Sequence, residues 1–258
     1  MKNLNLVEFK QLWKSILFFT VALITIIPQQ LQAREVFFAG KFSAAGPGEV
    51  LPTGWEPLIF KKINSHTHYS LIKDGDTPVV QAVSKGSASG LMRKIRVDPE
   101  KYPIIRWRWK AENILQNGNV TKKSEDDYPA RVYITFEYDS AGTGFIDKAK
   151  FLATKQVYGE YPPIATINYI WANKAPVGTF VISPYSKRDK MIVVESGEEK
   201  LNTWVVEERN IFADYVTAFG QKPPMISGIA IMTDSDNTKE SATAFYGDII
   251  FASTPIKK

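Results

Sequence analysis

Arg106, Arg108 and Lys110 alternate through the run IIRWRWK, and a second alternating run, Ala130 to Tyr138, carries Arg131, Tyr133 and Glu137 on its polar side. Alternate residues of an extended strand share a face. Each run therefore sets a polar row against an apolar one, Ile105, Trp107 and Trp109 in the first and Ala130, Val132, Ile134 and Phe136 in the second. If the two strands are neighbours, their guanidiniums line one sheet surface. Guanidinium forks grip carboxylates and sulfates through two parallel hydrogen bonds. The chemistry expected of Arg106, Arg108, Arg131 and Tyr133 is thus capture of an anionic glycan. The plainer alternative is a solvated face of cross-strand ion pairs. Of the tryptophans Trp55, Trp107, Trp109, Trp171 and Trp204, most belong in a core. Trp171, beside Asn168, Tyr169 and Asn173, is the one expected to face a ligand.

The carboxylates offer a second chemistry. Asp126 and Asp127 stand in a loop just before the Arg131 strand, and Glu137 and Glu195 lie further on. Two of these converging would make an acid–base pair of the glycosidase kind; otherwise the loop is simply a solvated acidic one. Asp234-Ser235-Asp236-Asn237-Thr238 places oxygen ligands at alternate positions, as in half of a calcium loop. Lys239 stands where a full loop has glycine, so the EF-hand pattern fails. A structural Ca2+ on Asp234, Asp236 and Asp248 competes here with an Asx-stabilised turn. No other cofactor is expected. His66 and His68 share a strand face but lack a third ligand nearby, which favours packing or hydrogen bonding over metal. The chain has no nucleophile elbow, phosphate-binding glycine loop, zincin helix or dinucleotide fingerprint.

What must position these groups follows from the whole chain. It has 258 residues, 44% of them apolar, and no cysteine. That rules out disulfides, thiolate-ligated metals and a thiol nucleophile. The net charge is +5, of which residues 1–33 supply +2 through Lys2, Lys10 and Lys14 against Glu8. No basic cluster dense enough for nucleic acid remains. The same three lysines precede an apolar run, Ile16–Ile27, which Pro28 stops, and Leu31-Gln32-Ala33 offers a cleavage site. This is the pattern of a secretory signal peptide. It predicts a mature chain from Arg34, a periplasmic location and no membrane span once the leader is cut; the alternative is an uncleaved N-terminal anchor. The oligomeric state carries no signal.

Residues 34–258 read as one all-β domain, a two-sheet β-sandwich of jelly-roll type with one or two inserted helices. Short strands recur with turn signals every ~8–12 residues. His68–Lys73 and Pro78–Ser84 flank Asp74-Gly75-Asp76, a hairpin signal. Ile226–Thr233 and Ala242–Phe251 read as a closing hairpin at the sandwich centre, with Asp248 on the face of Ala244 and Tyr246. Gly144–Tyr158 and Ile211–Phe219 are the predicted helices, and Glu112–Asp127 is predicted to be a long exposed loop.

The segments YPIIRWRWK, DDYPARVYITFEY, INYIWAN, MIVVESG and ISGIAIMTDSDNT with AFYGDIIF resemble a bacterial exported family catalogued as domain of unknown function 3047. The resemblance runs from about Trp55 to Phe251. It implies that family and export, and it carries no activity. AFYGDIIF is also similar to the last strand of galactose-binding-like jelly rolls, which implies an aspartate, here Asp248, helping to hold a structural calcium. The reading that follows is a non-catalytic periplasmic sandwich that binds a glycan or an anionic cell-envelope ligand. Its rivals are a carbohydrate-active enzyme, hydrolase or lyase, and an envelope protein-interaction module.

Overall fold

The structure, a computed structural model, describes residues 34–46, 50–138 and 163–256. The leader and the helix predicted at Gly144–Tyr158 lie outside the described residues. Within them the chain forms β1 (Val36–Gly40), β2 (Glu56–Leu58), β3 (His68–Asp74), β4 (Thr77–Lys85), β5 (Ala88–Val97), β6 (Ile104–Ala111) and β7 (Arg131–Phe136). There follow β8 (Ala165–Ala172), β9 (Phe180–Ile182), β10 (Asp189–Ser196), β11 (Val205–Asn210), α1 (Ile211–Phe219), β12 (Ile226–Asp234) and β13 (Ser241–Ala252). Among these residues no helix is long and apolar enough to cross a membrane.

Two sheets result. One runs β11-β6-β13-β4-β3, with β1 also paired to β13; the other runs β2-β5-β12-β7-β8-β10-β9. From β3 onward the chain passes repeatedly between the sheets, as a jelly-roll sandwich requires. The β3–β4 hairpin is where Asp74-Gly75-Asp76 predicts it, with Gly75 at φ 62. α1 also has its predicted bounds. The Asn210 side chain accepts from the Ala213 amide at its start, and Gly220 closes it in the left-handed region at φ 72.

Between the sheets lies an aromatic core. The rings of Trp107 and Trp109 meet edge-on at 5.4 Å, and Trp107 packs on Tyr169 at 5.1 Å. Fully burying a large apolar side chain is worth about 1.5–3 kcal/mol. The strict alternation in β6 follows directly: each apolar residue faces this core, and each cation faces outward.

Three sequence expectations fail, each through a long-range choice that local pattern does not encode. β6 and β7 are not neighbours but belong to different sheets, so Arg131 is on the opposite outer face of the sandwich from Arg106 and Arg108. β12 and β13 are not a hairpin: each sits inside its own sheet, and the turn between them crosses the sandwich. The segment 112–127 is not an exposed loop. Ile114, Leu115 and Val120 are buried, and Val120 and Tyr128 pack on Ile170, Met191 and Val193 over the outer face of the seven-stranded sheet.

Candidate functional site

On the outer face of the six-stranded sheet, a bulge in β13 decides what is presented. Tyr246 pairs with Trp109 and Ile249 with Trp107, so Gly247 and Asp248 together oppose the single residue Arg108. The extra residue reverses the alternation. Asp248, expected on the face of Tyr246, is turned to the outer surface instead, where it accepts from the Ser43 amide (2.8 Å) and hydroxyl (2.6 Å). The structure therefore separates Asp248 from the Asp234 and Asp236 with which it was expected to hold a cation.

Gly247 also explains how Arg108 is held. A Cβ there would lie 2.4 Å from Arg108 Nε and 2.5 Å from its Cγ, so only glycine lets the arginine lie across this backbone. The guanidinium then stacks on Trp204, 4.4 Å from the ring centroid. Among the described residues it has no hydrogen-bond or ion-pair partner. Arg106 beside it is partly engaged, donating to the Ile256 carbonyl at 2.8 Å and Glu208 at 3.3 Å. Trp204 is itself anchored, its indole N–H donating to Asp74 at 2.5 Å. Lys110 donates to the same carboxylate at 2.9 Å, and the two hydrogen bonds hold Asp74 below the usual carboxylate range. Arg106, Arg108 and Asp248 share a groove of about 290 Å³ with Phe38, Val206 and Ile250. Phe38 is 43% exposed and Val206 49%.

The opposite outer face is built differently. Arg131 is 3% exposed and bridges Asp234 with two of its nitrogens, Nε at 2.8 Å and Nη2. Its Nη1 donates to the Tyr133 hydroxyl at 3.0 Å, and the Tyr128 ring covers it at 4.2 Å. Arg131 is therefore no part of a shared cationic surface. It neutralises buried carboxylates. Trp171 faces no ligand either: it is fully buried in the core, its ring 6.0 Å from Trp109 and its indole N–H on the Gly197 carbonyl.

The carboxylates proposed for catalysis are dispersed. Asp126 is buried under the Tyr128 hydroxyl (2.9 Å), and Asp127 accepts from Asn237 (3.0 Å) and the Thr238 amide (2.6 Å). Glu137 follows the far end of β7 and pairs with Arg96, while Glu195 in β10 pairs with Lys200. Neither the groove at Arg108 nor the cleft at Gln116 and Asn173 is lined by any of the four, whereas an acid–base pair requires two of them in one cleft. Oxygens of Asp127, Asp234 and Asp236 do lie within 4.8 Å of one another. Protein donors already occupy them: Arg131 and the Tyr128 amide on Asp234, Asn237 and Thr238 on Asp127. A calcium ion needs six to eight oxygens, so these residues fit a cross-braced turn better than a cation cage.

A larger cleft, about 410 Å³, is lined by Gln116, Asn117, Asn119 and Asn173 at the edge of the segment 112–127. Its Asn173 and Lys174 side chains are spent on the Gln116 carbonyl, and no aromatic ring lines it.

Two half-buried carboxyls set a pH dependence. Burial pushes Asp189 up to about 7, and burial together with Glu195 pushes Glu207 to about 7. Both lie near 4 in an unfolded chain. Each thus contributes stability that is complete below about pH 4 and lost as pH rises to 7, at about 1.4 kcal/mol per pH unit while it titrates. Urea stability of the native chain is expected to fall between pH 5 and 7.5, and more steeply than that of Asp189→Asn. Parallel profiles for the two proteins would show that Asp189 ionises normally.

The family described as "Protein of unknown function (DUF3047)" matches residues 53–250. No curated protein matches the sequence. Among solved structures the chain is similar to the family 11 carbohydrate-binding module of the cellulase Lic26A-Cel5E of Clostridium thermocellum, at 10% identity over 84% of this chain and 95% of that one, TM-score 0.39. It is also similar to the xylan-binding module CBM15 (9%, 85% and 96%, TM-score 0.34) and to the family 29 module CBM29_1 of Piromyces equi (9%, 86% and 92%, TM-score 0.33). At TM-scores below 0.5, these likenesses assign no ligand to this chain.

Proposed function

Because the chain belongs to the DUF3047 family, whose description names no activity, we propose its function from the site itself: a non-catalytic, exported β-sandwich that binds an acidic glycan on the outer face of its six-stranded sheet. The leader pattern supports export to the periplasm. The observation that carries the binding reading is Arg108. Its guanidinium is fixed by Gly247 and Trp204 and half-buried, and its donors are unspent among the described residues. A preorganised fork of this kind matches a uronate carboxylate or a sulfate ester. Phe38, Val206 and Ile250 give the apolar wall against which a sugar's C–H face can lie, and Asp248 supplies an acceptor for a neighbouring hydroxyl. Fixing the arginine in advance lowers the ordering cost of binding.

Isothermal titration with an oligogalacturonate, a sulfated oligosaccharide and a neutral cello-oligosaccharide tests this. The acidic probes are expected to bind and the neutral one to bind at least tenfold more weakly. Arg108→Gln is expected to lose at least tenfold, about 1.4 kcal/mol. Gly247→Ala, which displaces the same guanidinium, should act in the same direction. Equal affinity for neutral and acidic probes, or an Arg108→Gln protein that binds like the native one, would overturn the reading.

A further inference from the structure

The seven-stranded sheet carries a second set of polar groups on its outer face, independent of the Arg108 groove. β8 sits between β7 and β10, and Asn168 pairs with Tyr133 on one side and Met191 on the other. Asp189 pairs with Thr166, two residues back along the same face. Directly paired strand residues share a face, so Tyr133, Asn168 and Asp189 converge on one patch. Asn168 is 0% exposed, yet among the described residues neither its amide oxygen nor its amide nitrogen has a hydrogen-bond partner. Asp189 Oδ1 is buried and has no partner among the described residues, although Ser183 hydrogen-bonds the same carboxyl. Each unmet buried polar group costs about 1–3 kcal/mol. Packing alone gives no reason to keep an asparagine there between Thr166 and Ile170.

The chemistry of the patch narrows what would satisfy it. An anion is disfavoured. The guanidinium behind the patch, Arg131, is already spent on Asp234, Tyr133 and the Asp126 carbonyl, and the Asp126 carboxylate adds negative charge. A cation is disfavoured too, because the carboxylates close enough to share one belong to the turn of Asp127, Asp234 and Asp236. An amide presenting both a donor and an acceptor, a carboxyl oxygen and a phenol hydroxyl together complement adjacent hydroxyl groups. Tyr133 and Asp189 keep part of their surface open to solvent while Asn168 keeps none, so a ligand reaches the amide only where these side chains part.

We propose that Tyr133, Asn168 and Asp189 form a second ligand site, which takes a small neutral molecule bearing adjacent hydroxyls, such as a monosaccharide. Asn168 bonds one hydroxyl as acceptor and its neighbour as donor, Asp189 accepts from a third position, and Arg131 orients Tyr133. The site is opposite in selectivity to the Arg108 groove, so either can fail without the other.

The test follows the side-chain amide signal of Asn168 in 15N-correlated NMR spectra of the mature chain. The probes are glucose, galactose and xylose, with Ca2+ and galacturonate as separate arms. At least one neutral sugar is expected to shift that signal saturably. Asn168→Leu is expected to weaken its binding at least tenfold while raising the melting temperature of the free protein, because an unmet polar group is gone. Arg108→Gln should leave this binding unchanged. A signal that responds to none of the neutral sugars, or only to Ca2+ or galacturonate, overturns the proposal. So does an Asn168→Leu protein that binds sugar like the native one. The native spectrum decides the matter even if the variant does not fold.

Discussion

Replacing Arg131 with methionine is expected to destabilise the fold by about 3–5 kcal/mol. The side chain closes the sandwich at the point where the chain crosses from β12 to β13. Asp234, which it bridges, is 2% exposed. Its partner's loss leaves a buried carboxylate whose remaining donor among the described residues is the Tyr128 amide, at 3.3 Å. The pair's net worth is much smaller than this cost of breaking it, since both ions are desolvated. The double variant Arg131→Met with Asp234→Leu should therefore recover most of the stability lost by the single one. Urea denaturation of the three proteins measures this cycle. A single variant within about 1 kcal/mol of native would mean that Asp234 is not relying on Arg131.

The second large effect belongs to Trp171. Truncation to alanine removes a fully buried indole and is expected to cost about 3–5 kcal/mol. It also removes the indole N–H bond that holds the Gly197 carbonyl beyond the end of β10. The milder Trp171→Phe keeps a ring against Trp109 and should fold. Its affinity for acidic glycan is then expected to equal the native value, because Trp171 faces the core and not the ligand. A Trp171→Phe protein that folds normally but loses the ligand would contradict this placement.

Both residues show where the sequence is legible and where it is not. The run IIRWRWK declares its own inside and outside, since a period of two flips every side chain and only one register buries both tryptophans. Asn210 and Gly220 mark the ends of α1 because capping is local chemistry. The partner of a strand is not local. Nothing in ARVYITFEY says that β7 pairs with β8 and β12 rather than with β6, so local pattern groups Arg131 with Arg106 and Arg108 across the full thickness of the sandwich. The bulge at Gly247 and Asp248 is a similar case. The glycine was visible, but the arginine that needs its missing Cβ is more than a hundred residues away in the chain. Asn168 gave no signal either. In INYIWAN it looks like one more strand residue, and its unmet amide appears only once the neighbouring strands are in place. Nothing in the sequence sets Trp204 above Trp171, because a half-buried indole at a strand edge has no signature there.

The most direct measurement of the account is a crystal structure of the mature chain with a bound acidic oligosaccharide. It is predicted to show a carboxylate or sulfate oxygen about 3 Å from the Arg108 guanidinium, over β6 and β13, with a sugar face against Phe38. An acidic ligand seated in the amide-lined cleft at Asn173 or on the seven-stranded sheet, with Arg108 untouched, would contradict it.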